Sequence, residues 1–288
     1  MLLEKIALNY LKYRRRISLR NVDINIPISL LTQFKSEFAP GSESFEKLIN
    51  NVLQHIGIKK KGVSFASSNE YRQFINALDS KLTIFDNQPF QLGGLDYEIH
   101  LISELLYNFS SPLVLEIGVA NGYSSAFLYY AIEKNDGRIT SIDLPKFPKK
   151  TIKPYEVLHI WLAKRGKIEN TGTLGDLNPG GVIPNKKYGG WLIPMALRMK
   201  VPNITITGNV FNIFQDFPDD YKFDFVVFDA MKDYKLRIKI LELIAAHLKP
   251  KGLCALDGYW LNSAFDDFCK QNKKPVWKFG RVGLFANS

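Results

Sequence analysis

Leu113-Val114-Leu115-Glu116-Ile117-Gly118-Val119-Ala120-Asn121-Gly122-Tyr123-Ser124 is the stretch that decides how this chain folds. Leu113 to Ile117 is a short apolar run, the pattern of a buried strand. It breaks on Gly118, where the backbone can turn sharply, and a helix follows with Ala126, Phe127, Tyr130 and Ala131 on its inner side. Gly122 lets that helix start close to a bound ligand. The dinucleotide fingerprint Gly-x-Gly-x-x-Gly needs a glycine where Ala120 stands, so the pattern argues against NAD. Glu116, two positions before the first glycine, suits a cationic ligand. Asp143, at the tip of the next strand, sits where a carboxylate can accept both hydroxyls of a ribose.

Outward from this stretch the chain alternates strand and helix. A helix over Tyr97 to Phe109 precedes it. Strands are expected at Arg138 to Ile142, Ile204 to Thr207, Phe223 to Phe228 and Leu253 to Leu256, with a helix from Tyr234 to Leu248 stopped by Lys249-Pro250-Lys251-Gly252. Val276 to Phe279 and Val282 to Phe285 read as a β-hairpin around Gly280-Arg281. The fold class is therefore α/β, a doubly wound, mostly parallel sheet with a C-terminal hairpin. Ligands of such sheets bind beyond the carboxyl ends of the strands, where Gly118, Asp143, Asn209, Asp229 and Asp257 fall. Residues 1–92 read as a mainly helical extension. It includes a helix from Ser44 to His55 with Phe45, Leu48, Ile49 and Val52 as its stripe, and residues 93–288 form the main domain. Residues 145–203 are long for a crossover and read as a lid-like insertion.

Bulk properties narrow the function. The 288 residues include two cysteines, Cys254 and Cys269, without metal-ligand spacing, which fits reduced thiols and a cytoplasmic setting. No apolar run reaches the ~20 residues of a membrane span. The N-terminus places apolar residues ahead of its charges, the reverse of a secretory signal. Its first 20 residues carry an amphipathic pattern, leaving open a helix docked on the protein's own core or one in peripheral contact with a membrane. The net charge of +10 is spread over small clusters (Arg14 to Arg16, Lys59 to Lys61, Lys149 to Lys150, Lys273 to Lys274) and reads first as a solvated basic face, with an anionic acceptor as the alternative. No cluster is interleaved with aromatics as a single-strand platform would be, so nucleic acid is not the expected partner.

The strand, the Glu-x-Gly-x-x-x-Gly turn, the helix and the acid ending the next strand together resemble the class I S-adenosylmethionine-dependent methyltransferases. The resemblance implies a Rossmann-like methyltransferase fold and an enzyme whose cofactor is S-adenosylmethionine. The residues implied to hold the cofactor are Glu116, Gly118, Asn121, Gly122, Tyr123, Ser124, Asp143, Asn209 and Asp229. Phe223 to Asp229, Ala230-Met231-Lys232-Asp233-Tyr234 and Leu256-Asp257-Gly258 are similar to the small-molecule O-methyltransferase branch. This implies catalytic roles for Lys232, Asp229 and Asp257. In a cation-dependent subgroup the last two would be metal ligands. Here Gly258 stands in the place of that subgroup's asparagine ligand, and the tyrosine falls one residue early. The site is expected to work without a metal, with a divalent cation on Asp229 and Asp257 as the alternative. A second bacterial subgroup resembles Gly190-Trp191-Leu192-Ile193-Pro194 with Arg198, Asp229 to Tyr234, and Asn262-Ser263-Ala264-Phe265, with Lys232 replacing a histidine.

The expected reaction is methylation of a small-molecule or glycan-like acceptor on oxygen. Lys232 serves as base, and the insertion presents Trp191 and Arg198 to the acceptor. Two alternatives stay open: a nucleic-acid methyltransferase, and an inactive cofactor-binding module docked on a membrane or protein. The first lacks the Asn/Asp-Pro-Pro-Tyr/Phe tetrad of adenine methylation and the Pro-Cys dipeptide of cytosine attack.

Overall fold

The computed structural model describes residues 39–62, 64–82, 98–119, 123–143, 203–207, 209–231 and 233–287. The amphipathic N-terminal stretch, the 145–203 insertion up to residue 202 with Trp191 and Arg198, and Asn121, Gly122 and Lys232 lie outside the described residues. Among the described residues, helices α1 (Glu43–Ile56), α2 (Asn69–Leu82) and α3 (Glu98–Asn108) come first. Then follow β1 (Leu113–Ile117), α4 (Tyr123–Glu133), β2 (Arg138–Asp143), β3 (Asn203–Thr207), α5 (Val210–Asp216), β4 (Phe223–Phe228), α6 (Tyr234–Ala246) and β5 (Leu248–Asp257). A 3-10 turn at Tyr259–Leu261, α7 (Ala264–Gln271), β6 (Val276–Phe279) and β7 (Val282–Ala286) complete the order. The seven strands form one sheet in the order β3-β2-β1-β4-β5-β7-β6. β1 pairs in parallel with β2 and β4, β2 with β3, and β4 with β5, while β7 runs antiparallel to both β5 and β6. The expected doubly wound sheet with a C-terminal hairpin is the observed one.

Because successive side chains of a strand point to opposite faces, each inner strand feeds two cores. Val114, Phe225, Val227, Leu253 and Ala255 face a core shared with α1 to α4 and with Phe279, Val282 and Leu284 of the hairpin. Leu115, Val226, Phe228, Cys254 and Leu256 face the other, against α5, α6 and α7. Helix α1 shows how local chemistry sets these elements. Ser42 caps its start by accepting from the Phe45 amide at 3.2 Å, and Gly57 ends it in the left-handed region at φ 74°. Its stripe of Phe45, Ile49, Val52, Leu53 and Ile56 is buried with α3 and α4, so this helix of the N-terminal region is part of the first core.

Two expectations are corrected. β5 begins at Leu248, five residues before the expected Leu253. Leu248 pairs with Phe223, and the register then shifts across Lys249-Pro250-Lys251-Gly252, with Lys251 at φ 65°. The four residues are a bulge within the strand. Lys61, expected on a solvated basic face, is instead fastened to the end of α3. Its Nζ donates to the carbonyls of Tyr107 (2.8 Å) and Phe109 (3.1 Å) and to Asn135 Oδ1 (2.6 Å). A cation is favoured there because the last carbonyls of a helix carry partial negative charge. Lys60 pairs with Glu46.

Candidate functional site

The turn after β1 is locked by backbone. The Gly118 amide donates to the Ile142 carbonyl at 2.9 Å and the Asp229 amide to the Ile117 carbonyl at 2.8 Å, so the ends of β2 and β4 converge on the Ile117–Gly118 peptide that closes β1. Gly118 has φ +95°, and a Cβ there would lie 2.2 Å from the Asp229 carbonyl oxygen. Only glycine satisfies both conditions, which is the physical content of the first glycine of the motif.

Glu116 is 1% exposed, and its two oxygens accept from two elements: Oε1 from Ser125 Oγ on α4 at 2.6 Å, Oε2 from Ser141 Oγ on β2 at 2.7 Å. These bonds fix the start of α4 against the sheet below the Gly118 turn. Tyr129 is fully buried on the same helix. Burial first, and the Glu116 charge second, hold its hydroxyl well above the ordinary tyrosine range, so it stays a neutral phenol. Ser124 is half-buried at the start of α4, beside Tyr123, the first residue of that helix. Asp143 closes β2 one residue beyond the carbonyl that holds Gly118. Asn209 is exposed and caps α5, its Oδ1 accepting from the Phe211 amide at 3.0 Å.

The ends of β4 and β5 form a second constellation. Asp229 follows β4 and is half-buried. Met231, next to Lys232 in the sequence, has φ 48°, a conformation uncommon for a long side chain. Asp257, 6% exposed, ends β5, and its Oδ1 accepts from Arg281 Nη2 at 2.9 Å and Nε at 3.2 Å. Arg237 of α6 is 0% exposed and binds both loops. It donates to the carbonyls of Met231 (2.7 Å), Gly258 (2.6 Å) and Asp257 (3.2 Å). Burial pulls its guanidinium down to about 10, against the charges of Asp257 and Asp229, so it remains cationic at neutral pH. For Arg281, burial again pulls down, but Asp257 and Glu98 together outweigh it and raise the group above its ordinary value. Glu98, 1% exposed at the start of α3, accepts from the Arg281 amide at 2.8 Å.

Sequence reasoning missed Arg237, Arg281 and Glu98. Arg237 left a visible trace, since it shares the stripe of Ile240, Leu241 and Ile244 and a charge on an apolar stripe needs a partner. Arg281 read only as a turn residue, because its partners Glu98 and Asp257 are distant in sequence. The Asn262 to Phe265 element holds structure together. Asn262 Oδ1 accepts from the Ala264 amide at 3.1 Å, and Phe265 is 0% exposed.

The donor set does not fit a divalent cation. Asp257 Oδ1 already carries two guanidinium bonds, and the carbonyls of Asp257 and Gly258 carry Arg237. Position 258, at φ +65°, offers no side chain.

A family model described as Methyltransferase domain matches residues 115–259, just over half of the chain. No curated protein matches. Among solved structures, the chain is similar to the O-methyltransferase TomG of Streptomyces achromogenes, involved in tomaymycin synthesis, in complex with S-adenosylmethionine. Identity is 15%, coverage 85% of this chain and 95% of that one, and the TM-score 0.42. It is also similar to an O-methyltransferase of Bacillus cereus in complex with S-adenosylhomocysteine (12% identity, 88% and 94% coverage, TM-score 0.38). A third is an S-adenosylhomocysteine-bound methyltransferase of Podospora anserina (14% identity, 86% and 97% coverage, TM-score 0.40). These likenesses are too loose to carry an activity across. The family match stands on its own, over the segment that runs from β1 through the Gly118 turn to the loop after Asp257, and by it the chain belongs to the methyltransferase domain family.

Proposed function

We propose that the protein is an S-adenosylmethionine-dependent O-methyltransferase acting on a small-molecule or glycan-like acceptor. The observation that carries this reading is the Gly118 turn, held at φ +95° against the end of β4, with Glu116 buried beneath it and Asp143 ending the adjacent strand. S-adenosylmethionine, when bound, supplies a methyl group on a sulfonium, ready for in-line displacement. The protein's task is then to place the acceptor oxygen and take its proton.

In this reading Gly118, Asn121, Gly122, Tyr123 and Ser124 hold the methionine part, and Asp143 accepts the ribose hydroxyls. Asn209 and Asp229 flank the rest of the cofactor. Glu116 acts by holding α4 through Ser125. Lys232, next to Met231 in the sequence and outside the described residues, takes the acceptor proton, a role open to a lysine whose pKa is lowered by desolvation or by neighbouring cations. Asp257 orders the acceptor side through Arg281. The 145–203 insertion, whose Trp191 and Arg198 lie outside the described residues, is proposed to present both to the acceptor, Arg198 pairing with an anionic group.

The experiment is calorimetry followed by turnover. Asp143→Ala should weaken S-adenosylhomocysteine binding by about 1.5–3 kcal/mol, the worth of hydrogen bonds to a charged group. Lys232→Met should leave that binding intact while lowering methyl transfer ~10²-fold or more. Unchanged transfer in Lys232→Met would move the base elsewhere.

A further inference from the structure

The loops after β4 and β5 are bound to two guanidinium groups. Arg281 enters from the β6–β7 turn and is fixed before its side chain begins. Its amide donates to Glu98 Oε1 at 2.8 Å, and its carbonyl accepts from the amides of Gly258 (2.8 Å) and Tyr259 (3.3 Å). From that anchored backbone the guanidinium reaches Asp257 Oδ1 with two N–H groups. Asp229 adds its charge from the end of β4. Arg237 closes the arrangement from beneath, on the carbonyls of Met231, Asp257 and Gly258. A divalent ion brought to Asp229 and Asp257 would have to compete with Arg281 for Asp257, whose Oδ1 holds both guanidinium bonds. It would also sit close to two fixed positive charges in a partly desolvated site, where repulsion is screened less than in water.

We propose that Arg281 is the resident cation of this site: a positioning residue that holds Asp257 and the Gly258 turn and keeps a divalent metal from binding between Asp229 and Asp257. This deepens the methyltransferase reading and rests on it for the meaning of the site, but its test does not depend on knowing the acceptor. A salt link alone would stabilise the fold. A resident cation must also decide whether Mn²⁺ binds.

The test uses the full chain and two probes, Mn²⁺ followed by electron paramagnetic resonance and S-adenosylhomocysteine followed by calorimetry. The unaltered protein should bind S-adenosylhomocysteine and show no saturable Mn²⁺ site below about 1 mM, an affinity with little free energy behind it. Arg281→Ala should keep S-adenosylhomocysteine affinity within about threefold and gain Mn²⁺ affinity by about tenfold or more, because the Asp257 oxygen is released. Arg281→Lys, which keeps the charge, should still exclude Mn²⁺. Asp257→Asn in the Arg281→Ala background should abolish the gain. Saturable Mn²⁺ binding below about 1 mM in the unaltered protein, lost in Asp257→Asn, would overturn the proposal, as would a folded Arg281→Ala with no gain. If Arg281→Ala does not fold, the unaltered protein and Arg281→Lys decide the question, and metal binding by either overturns it. Failure to bind S-adenosylhomocysteine with Mn²⁺ still excluded would strike the methyltransferase reading and leave Arg281 standing.

Discussion

Gly118 is legible in sequence as a turn residue, but its necessity comes from a neighbour 111 positions away: a Cβ would lie 2.2 Å from the Asp229 carbonyl oxygen. Gly118→Ala should therefore both strain the backbone, at about 1–3 kcal/mol for a non-glycine held at such a φ, and push β4 away from β1. A fall in melting temperature together with loss of S-adenosylhomocysteine binding is expected. Normal values of both would mean that the turn relaxes without cost. The two cysteines give a second prediction at this scale. Burial, then the charge of Asp266, pushes the Cys269 thiol up to about 12, and burial raises Cys254 well above its ordinary value. Neither forms thiolate at pH 8, so a disulfide-exchange reagent should label neither in the native protein and both in guanidinium chloride. Fast native labelling would show that α7 does not stay packed over β5. Arg237 and Arg281 mark where residue-level reading stops. Their roles lie in contacts with carbonyls and carboxylates brought near by the sheet, and no local pattern encodes those.

Elements with one strong signal were read almost to the residue. β1 and β4 are apolar apart from Glu116 and Asp224, because both faces of a central parallel strand are covered. α2 went unread because its fourteen residues are mostly polar and its stripe of buried residues, among the described side chains, is Tyr71, Phe74 and Leu78. α5 is only seven residues long, too short for periodicity to speak. α3 was read, but not the two carboxyls it buries. Burial raises both Glu98 and Glu104. The hydrogen bond and charge from Arg281 offset this only partly for the first, and the bonds from the Ala66 amide and Ser64 only partly for the second. Their folded values exceed their unfolded ones. The stability tied to the protonated forms is therefore full below the ordinary glutamate value and is lost as pH rises through the folded value. Denaturant midpoints should accordingly fall as pH rises from about 4.5. Glu98→Gln, which keeps an acceptor for the Arg281 amide, should flatten part of that slope. A Glu98→Gln slope identical to the unaltered protein's would mean that Glu98 titrates normally.

At the scale of the molecule, the division into an extension of residues 1–92 and a domain from residue 93 meets a core that crosses it. Phe45, Ile49, Val52, Leu53 and Ile56 of α1 are buried with α3, α4 and the hairpin, and Trp277 Nε1 of β6 donates to Asn51 Oδ1 at 2.8 Å. Such a boundary follows a change in sequence texture, and texture does not report which side chains share a core. Removing residues 1–60 should strip five buried apolar side chains from the first core, at roughly 1.5–3 kcal/mol each. That is enough to unfold a domain of ordinary stability. Circular dichroism of the truncated chain should show loss of cooperative melting, whereas a cooperative transition near that of the full chain would mean that α1 is an appendage. One measurement bears on the whole account most directly, because fold, family and site all converge on the Gly118 turn. It is isothermal titration of the purified full-length protein with S-adenosylhomocysteine and, separately, with NAD. S-adenosylhomocysteine should bind one-to-one, more weakly in Asp143→Ala, with no heat from NAD; NAD binding with no response to S-adenosylhomocysteine would overturn the methyltransferase reading.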